Sequence, residues 1–164
     1  PSVQQFYFKD DHSPVYDYGR FDVDSAGSYR RSIYRFIVRS VPDPFMDCLD
    51  SADPSLLTPR RNTTITALQA LALLNDPFVS GQAGFWAKSL LGQPHKNPQE
   101  RITAMFRRAF SRNPDETELE RWTRMAHRMV TLHEIGEDNL MQSLAVWKDM
   151  AHSMFNAKEF IYVR

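Results

Sequence analysis

The 164 residues are 42% hydrophobic and 12% aromatic, enough apolar matter for a packed core and too much for a disordered segment. Twenty basic and twenty acidic residues cancel, so the chain lacks the overall positive field of a nucleic-acid binder. No apolar run reaches the roughly 18 to 20 residues of a membrane span, and no transmembrane segment is expected. Cys48 is the only cysteine, which excludes an intrachain disulfide, a thiolate zinc site and a CxxCH haem attachment within these residues. Alone, it reads as a small buried hydrophobe. The start shows no signal-peptide pattern, and Pro1 reads as an internal point of a longer protein.

Residues 1 to 28 mix aromatics with Asp, Ser, Pro and Gly without a helical period; Phe6–Phe8 and Val15–Tyr18 fit short strands. Residues 29 to 41 are β-branched and aromatic with alternating faces. They are expected to form a strand, with a helix as the alternative. Pro42-Asp43-Pro44 ends that element, and Asp43 with Pro44 starts at most a short helical turn. Asp43, Asp47, Asp50 and Asp53 lack the order of an EF-hand loop and read as caps and turn residues.

Thr66 and Gln69 then have the spacing of a capping box before the run Ala67–Leu74, the most apolar helix of the sequence. Its leucines cover so much of the circumference that it is expected to lie buried at the centre of the fold. Asp76-Pro77 starts a helix carrying Phe78, Phe85, Trp86, Leu90 and Leu91, in which Gly81 and Gly84 allow close contact with a neighbour. Asn97-Pro98 with Glu100 starts the next, with Ile102, Met105, Phe106, Ala109 and Phe110 inside and Arg101, Arg107, Arg108 and Arg112 outside. Asn113-Pro114-Asp115-Glu116 repeats the start signal ahead of the stripe Leu119, Trp122, Met125, Ala126, Met129 and Val130. Asp138-Asn139 is expected to open the last helix, with Leu140, Leu144, Trp147, Ala151, Met154 and Phe155 inward, and the apolar tail 160–163 to dock as an edge strand.

The expected class is mainly α: an antiparallel assembly of about five helices, with a loop-rich N-terminal third containing a small β element. Residues 1–164 are read as a single domain, a loop- and strand-rich arm over 1–60 packed on a helical core over 64–157.

Motifs for chemistry are sparse. The five histidines form no HxxxH or HExxH, and no GxSxG, strand-borne GxGxxG or Gly-Lys-Ser/Thr loop occurs. No metal site is expected. The Met and aromatic residues at helical spacing read as core rather than as a haem or ligand pocket. The candidate anion- or ligand-binding residues are Arg31, Arg60, Arg61 and Asn62. They include an arginine pair at the start of the apolar helix, where free backbone N–H groups add to the positive charge. The competing reading makes these arginines bidentate ties between the N-terminal third and the helices.

Several stretches together resemble the planctomycete-specific domain family: Arg30-Arg31-Ser32-Ile33-Tyr34, Val41-Pro42-Asp43-Pro44-Phe45, and Arg60-Arg61-Asn62 leading into Thr66-Ala67-Leu68-Gln69-Ala70-Leu71-Ala72-Leu73-Leu74-Asn75-Asp76. Phe106-Arg107-Arg108-Ala109-Phe110-Ser111-Arg112-Asn113-Pro114 and the closing Phe155–Val163 are similar to the end of that family. Ala67 stands where many members have proline, which removes some preorganisation at the first helical position. The resemblance implies a bacterial, extracytoplasmic (periplasmic or secreted), multidomain parent with haem c in upstream domains, and no cofactor in this segment. It implies no reaction and no catalytic residues.

Three functions follow as expectations. The first is a non-catalytic interaction module that packs on other domains of its parent or on a partner protein. The second is part of an enzyme, an oxidoreductase or a polysaccharide-degrading one, contributing an anion- or sugar-binding wall. The third is a carbohydrate-binding module using Tyr16, Tyr18 and Tyr29. For the segment in isolation the balance lies against an enzyme.

Overall fold

The computed structural model describes residues 7–10, 13–15, 22, 31–34, 42–52 and 66–161. The chain divides into two compact units, Pro1–Ala72 and Leu73–Arg164.

In the first unit, β1 (Tyr7–Asp10) pairs antiparallel with β2 (Ser13–Val15), Tyr7 opposite Val15 and Phe8 opposite Pro14. Pro14 has no N–H to give a ladder, and a two-stranded pair is all edge, where proline is tolerated. The expected strand over 29–41 is corrected where it is described: Ser32–Tyr34 is a 3-10 turn closed by Tyr34 N–H donating to Arg31 O at 2.9 Å. The alternation of Ser32, Ile33 and Tyr34 is compatible with an extended chain but does not impose one. Helix α1 (Pro44–Cys48) starts as expected, with Pro44 at its first position and Asp43 accepting from the N–H groups of Phe45 (3.0 Å) and Met46 (3.4 Å). Cys48 at its end is a free thiol, half-buried rather than buried.

Helix α2 (Ala67–Asn75) carries the capping box in full. Gln69 N–H donates to Thr66 Oγ1 and Thr66 N–H to Gln69 Oε1, each at 3.2 Å. Its expected burial is wrong. None of its residues is buried, and Leu68, Leu71 and Leu74 are more than half exposed. Leucine and alanine on every side give the helix no polar face to mark the outside, so composition could not show which side it would present.

The second unit holds α3 (Pro77–Leu91), α4 (Pro98–Phe110), α5 (Glu116–Leu132), α6 (Leu144–Phe155) and α7 (Lys158–Ile161). The described residues are thus mainly helical, five helices having nine residues or more. The most extensive pairing among the described elements is α3 with α6. The side of α3 that enters the core is not aromatic: Val79, Ala83, Ala87 and Leu90 are buried, whereas Phe85 and Trp86 are only partly so. Small residues let α6 approach with its own Val146, Trp147, Met150, Ala151 and Met154, all fully buried. The Met and aromatic stripes are core, as their spacing indicated.

Trp147 sits at the centre of this core, fully buried, its indole N–H donating to Leu140 O at 2.8 Å. The Arg101 guanidinium lies 4.7 Å above its ring and donates to Met141 O at 2.6 Å. Arg101, expected outside, is therefore a core residue with only 4% exposure, and burial lowers its pKa. Its long stem suits an interior position when a ring and a carbonyl receive the charge.

Local signals place the other starts. Asp76 accepts from Phe78 N–H (2.8 Å) and Asn97 from Glu100 N–H (2.8 Å). At α5 the cap is Asp115, not Asn113, because Asp115 and Glu118 form the reciprocal box. The last long helix opens at Leu144 rather than at Asp138-Asn139. Residues Glu137–Gln142 form a 3-10 segment, and the Ser143 hydroxyl supplies the cap by accepting from Val146 N–H at 3.3 Å. Of the tail expected as an edge strand, Phe160 and Ile161 belong to a helical turn over Lys158–Ile161, since Ala157 O accepts from both their N–H groups, and residues 162 and 163 lie outside the described residues.

Two substitutions test this packing. Trp147→Phe keeps a ring but removes the short indole bond to Leu140 O, leaving that carbonyl the long one from Ser143 N–H (3.4 Å), and weakens the Arg101 contact. It is expected to cost about 1–3 kcal/mol in urea unfolding, and an unchanged midpoint would remove Trp147 from its central role. Gly84→Ala is expected to stabilise by about 0.5–1 kcal/mol, because a Cβ there would meet only Lys148 Cδ at 4.0 Å. A lower melting temperature would mean that α3 needs glycine for close approach after all.

Candidate functional site

Of the four candidate ligand residues, only Arg31 lies among the described residues. It is exposed, and its carbonyl closes the 3-10 turn to Tyr34. Arg60, Arg61 and Asn62 lie outside the described residues, as do Tyr16, Tyr18 and Tyr29 of the carbohydrate-binding reading.

What the described residues do show at this end of the chain is a preorganised apolar ridge. Leu68, Leu71 and Leu74 recur every three residues along α2, with exposures of 65%, 53% and 52%. Residues at that spacing share one side of a helix. The capping box fixes the first turn, and Gln69 Nε2 also donates to Asp50 Oδ2 at 3.1 Å. Asp50 holds a left-handed backbone (φ 56°) just after α1, a conformation that aspartate tolerates better than most residues. Asp50 is thus a turn residue that also anchors the Gln69 side chain.

In the second unit, a cavity of about 340 Å³ lies against α3, α4, α6 and α7. Gln82, Phe85, Trp86 and Ser89 of α3 line one side, and Arg108 and Ala109 of α4 another. Phe155 and Phe160 complete it. The Trp86 and Phe155 rings stack at 5.4 Å between centroids, and Phe155 meets Phe160 at 5.1 Å. The sequence places Phe85 and Trp86 on α3 without a side and Phe155 inward. Trp86 and Phe155 pack against the core and line the cavity as well.

Phe160 is held at that cavity by charge. Arg112, just past α4, grips Glu118 of α5 with both terminal nitrogens (2.7 Å each) and Glu159 of α7 through Nε and Nη2 (2.7 and 2.6 Å). The Arg112 hydrogen bonds hold the Glu118 carboxyl well below its ordinary 4.5, at about 2, and the two carboxylates raise the pKa of Arg112. His127 pairs with Glu137 and His133 with Asp149, each at 2.7 Å on the surface, while His152 Nε2 lies 3.3 Å from Leu73 O. Among the described residues, no three or more His, Cys, Asp or Glu side chains gather as metal ligands, and no helix is long and apolar enough to cross a membrane.

A family model described as PSD1, Protein of unknown function (DUF1553), matches residues 2–126. The chain belongs to that family. The matched segment includes α2 and its capping box, α3, α4 and most of α5, and stops short of α6. No curated protein and no solved structure matches the chain.

The Arg112 pair yields a pH prediction. A depressed carboxylate contributes stability above its unfolded pKa and loses it as pH falls through the folded one, here from about 4.5 to about 2. Arg112 is 38% exposed, so solvent screening limits the contribution to about 1 kcal/mol. Glu118→Gln keeps the capping geometry but not the charge. Its melting temperature should lie a few degrees below the parent chain at pH 6, with the gap closing towards pH 2. A gap independent of pH would assign the effect to the cap.

Proposed function

We propose that this chain is a non-catalytic interaction module of a larger extracytoplasmic, cytochrome c-associated planctomycete protein. It docks through the leucine ridge of α2 onto an apolar surface of another domain of that parent. The observation that carries the reading is the ridge itself. A single exposed leucine is ordinary on any protein, but three in register on a capped helix match the way amphipathic helices enter apolar grooves. Burying each would contribute about 1.5–3 kcal/mol before the cost of association. The capping box and the Asp50 anchor lower that cost by fixing the helix before contact.

Haem c in upstream domains and a periplasmic or secreted location are supported by the sequence resemblance, whose strongest stretch runs through the same helix. That the family match spans this helix adds to the case. The partner is a protein surface, and charge plays little part in the contact.

Hydrogen exchange of α2 amides compares the 164-residue chain with the longer parent. Protection should rise in the parent and fall back when Leu68 and Leu71 are both changed to Asp, while the melting temperature of the short chain moves by less than about 0.5 kcal/mol equivalent. Identical α2 exchange in both proteins would overturn the reading.

A further inference from the structure

The cavity in the second unit has a chemical bias that its shape alone does not show. Every polar side chain on its wall is able to donate, and none is a carboxylate. Arg108, on the α4 side, makes no ion pair with a described residue, whereas Arg112 four positions on is committed to two carboxylates. The remaining wall is apolar and mostly aromatic, with Trp86, Phe155 and Phe160 in successive ring contact.

We propose that this cavity is a binding site for a small apolar carboxylic acid, an aromatic or alicyclic ring bearing one carboxylate. The ring lies against Trp86, Phe155 and Phe160. The carboxylate pairs with Arg108. The cavity volume falls at the lower end of small-molecule sites, which suits one ring system rather than a cofactor. A neutral sugar fits less well, because it needs many paired donors and acceptors and this wall offers no carboxylate to accept from its hydroxyls. The proposal does not depend on the α2 ridge.

The test uses the 164-residue chain with 2-naphthoate, 2-naphthalenemethanol and glucuronate as probes, read by calorimetry and by the indole N–H resonances. Saturable 1:1 binding of 2-naphthoate is expected, with a shift of one indole N–H resonance, from the ring stacking nearby, that Trp86→Phe removes. Arg108→Met, at an exposed position where folding should be unaffected, is expected to weaken that binding roughly tenfold or more, and the uncharged alcohol to bind as weakly. Arg108→Lys should recover part of the loss. Failure of 2-naphthoate to saturate overturns the proposal, as does binding unchanged in Arg108→Met or a preference for glucuronate over 2-naphthoate. Should Trp86→Phe fail to fold, the Arg108 pair and the alcohol decide the matter.

Discussion

The second unit depends on how one indole is closed off from water. Trp147 is the largest fully buried side chain, and its ring needs a partner for its N–H and a lid for its face. Leu140 O and Arg101 supply them, and both come from outside α6. The 3-10 segment before α6 is therefore part of the core: its carbonyls at Leu140 and Met141 are the acceptors that make burying an indole and a guanidinium tolerable. With Trp147 fixed, α6 presents Met150, Ala151 and Met154 to the small side of α3. The helix pair then has little freedom to rotate without exposing one of these residues.

The helix starts were legible in the sequence because a cap is a local event. Asp43, Thr66, Asp76 and Asn97 each satisfy backbone donors within three residues, and the residue types are visible in one line of text. Burial was less legible because it is settled at long range. Arg101 looked like an outward arginine until Met141, forty residues on, provided its acceptor. The apolar run of α2 indicated a core helix by composition, yet none of its residues is buried. Asp138-Asn139 is a good start signal by residue type, but it falls in the 3-10 segment Glu137–Gln142, and the helix itself starts after Ser143.

The candidate sites show the same division. The arginine and asparagine positions that drew attention in the sequence are, apart from Arg31, outside the described residues. The cavity that does appear is assembled from residues of three long helices and a terminal turn, each of which had an adequate bland reading by itself. What distinguishes that wall from ordinary packing is that rings in successive contact meet Arg108 and no carboxylate, which only the three-dimensional arrangement shows.

The attachment of α7 has a further consequence. Four residues cannot sustain a helix by themselves, since nucleation is unfavourable and so short a segment gains few hydrogen bonds in return. The turn persists because Arg112 holds Glu159 and Phe155 meets Phe160. One of those two fasteners is ionic and partly open to solvent, where dissolved salt screens charge over about 10 Å at ordinary ionic strength. The rim of the cavity is thus a part of this unit whose hold varies with the surrounding electrolyte. The aromatic contact beneath it does not, so the protein carries a salt-graded fastening over a salt-indifferent one at the same edge.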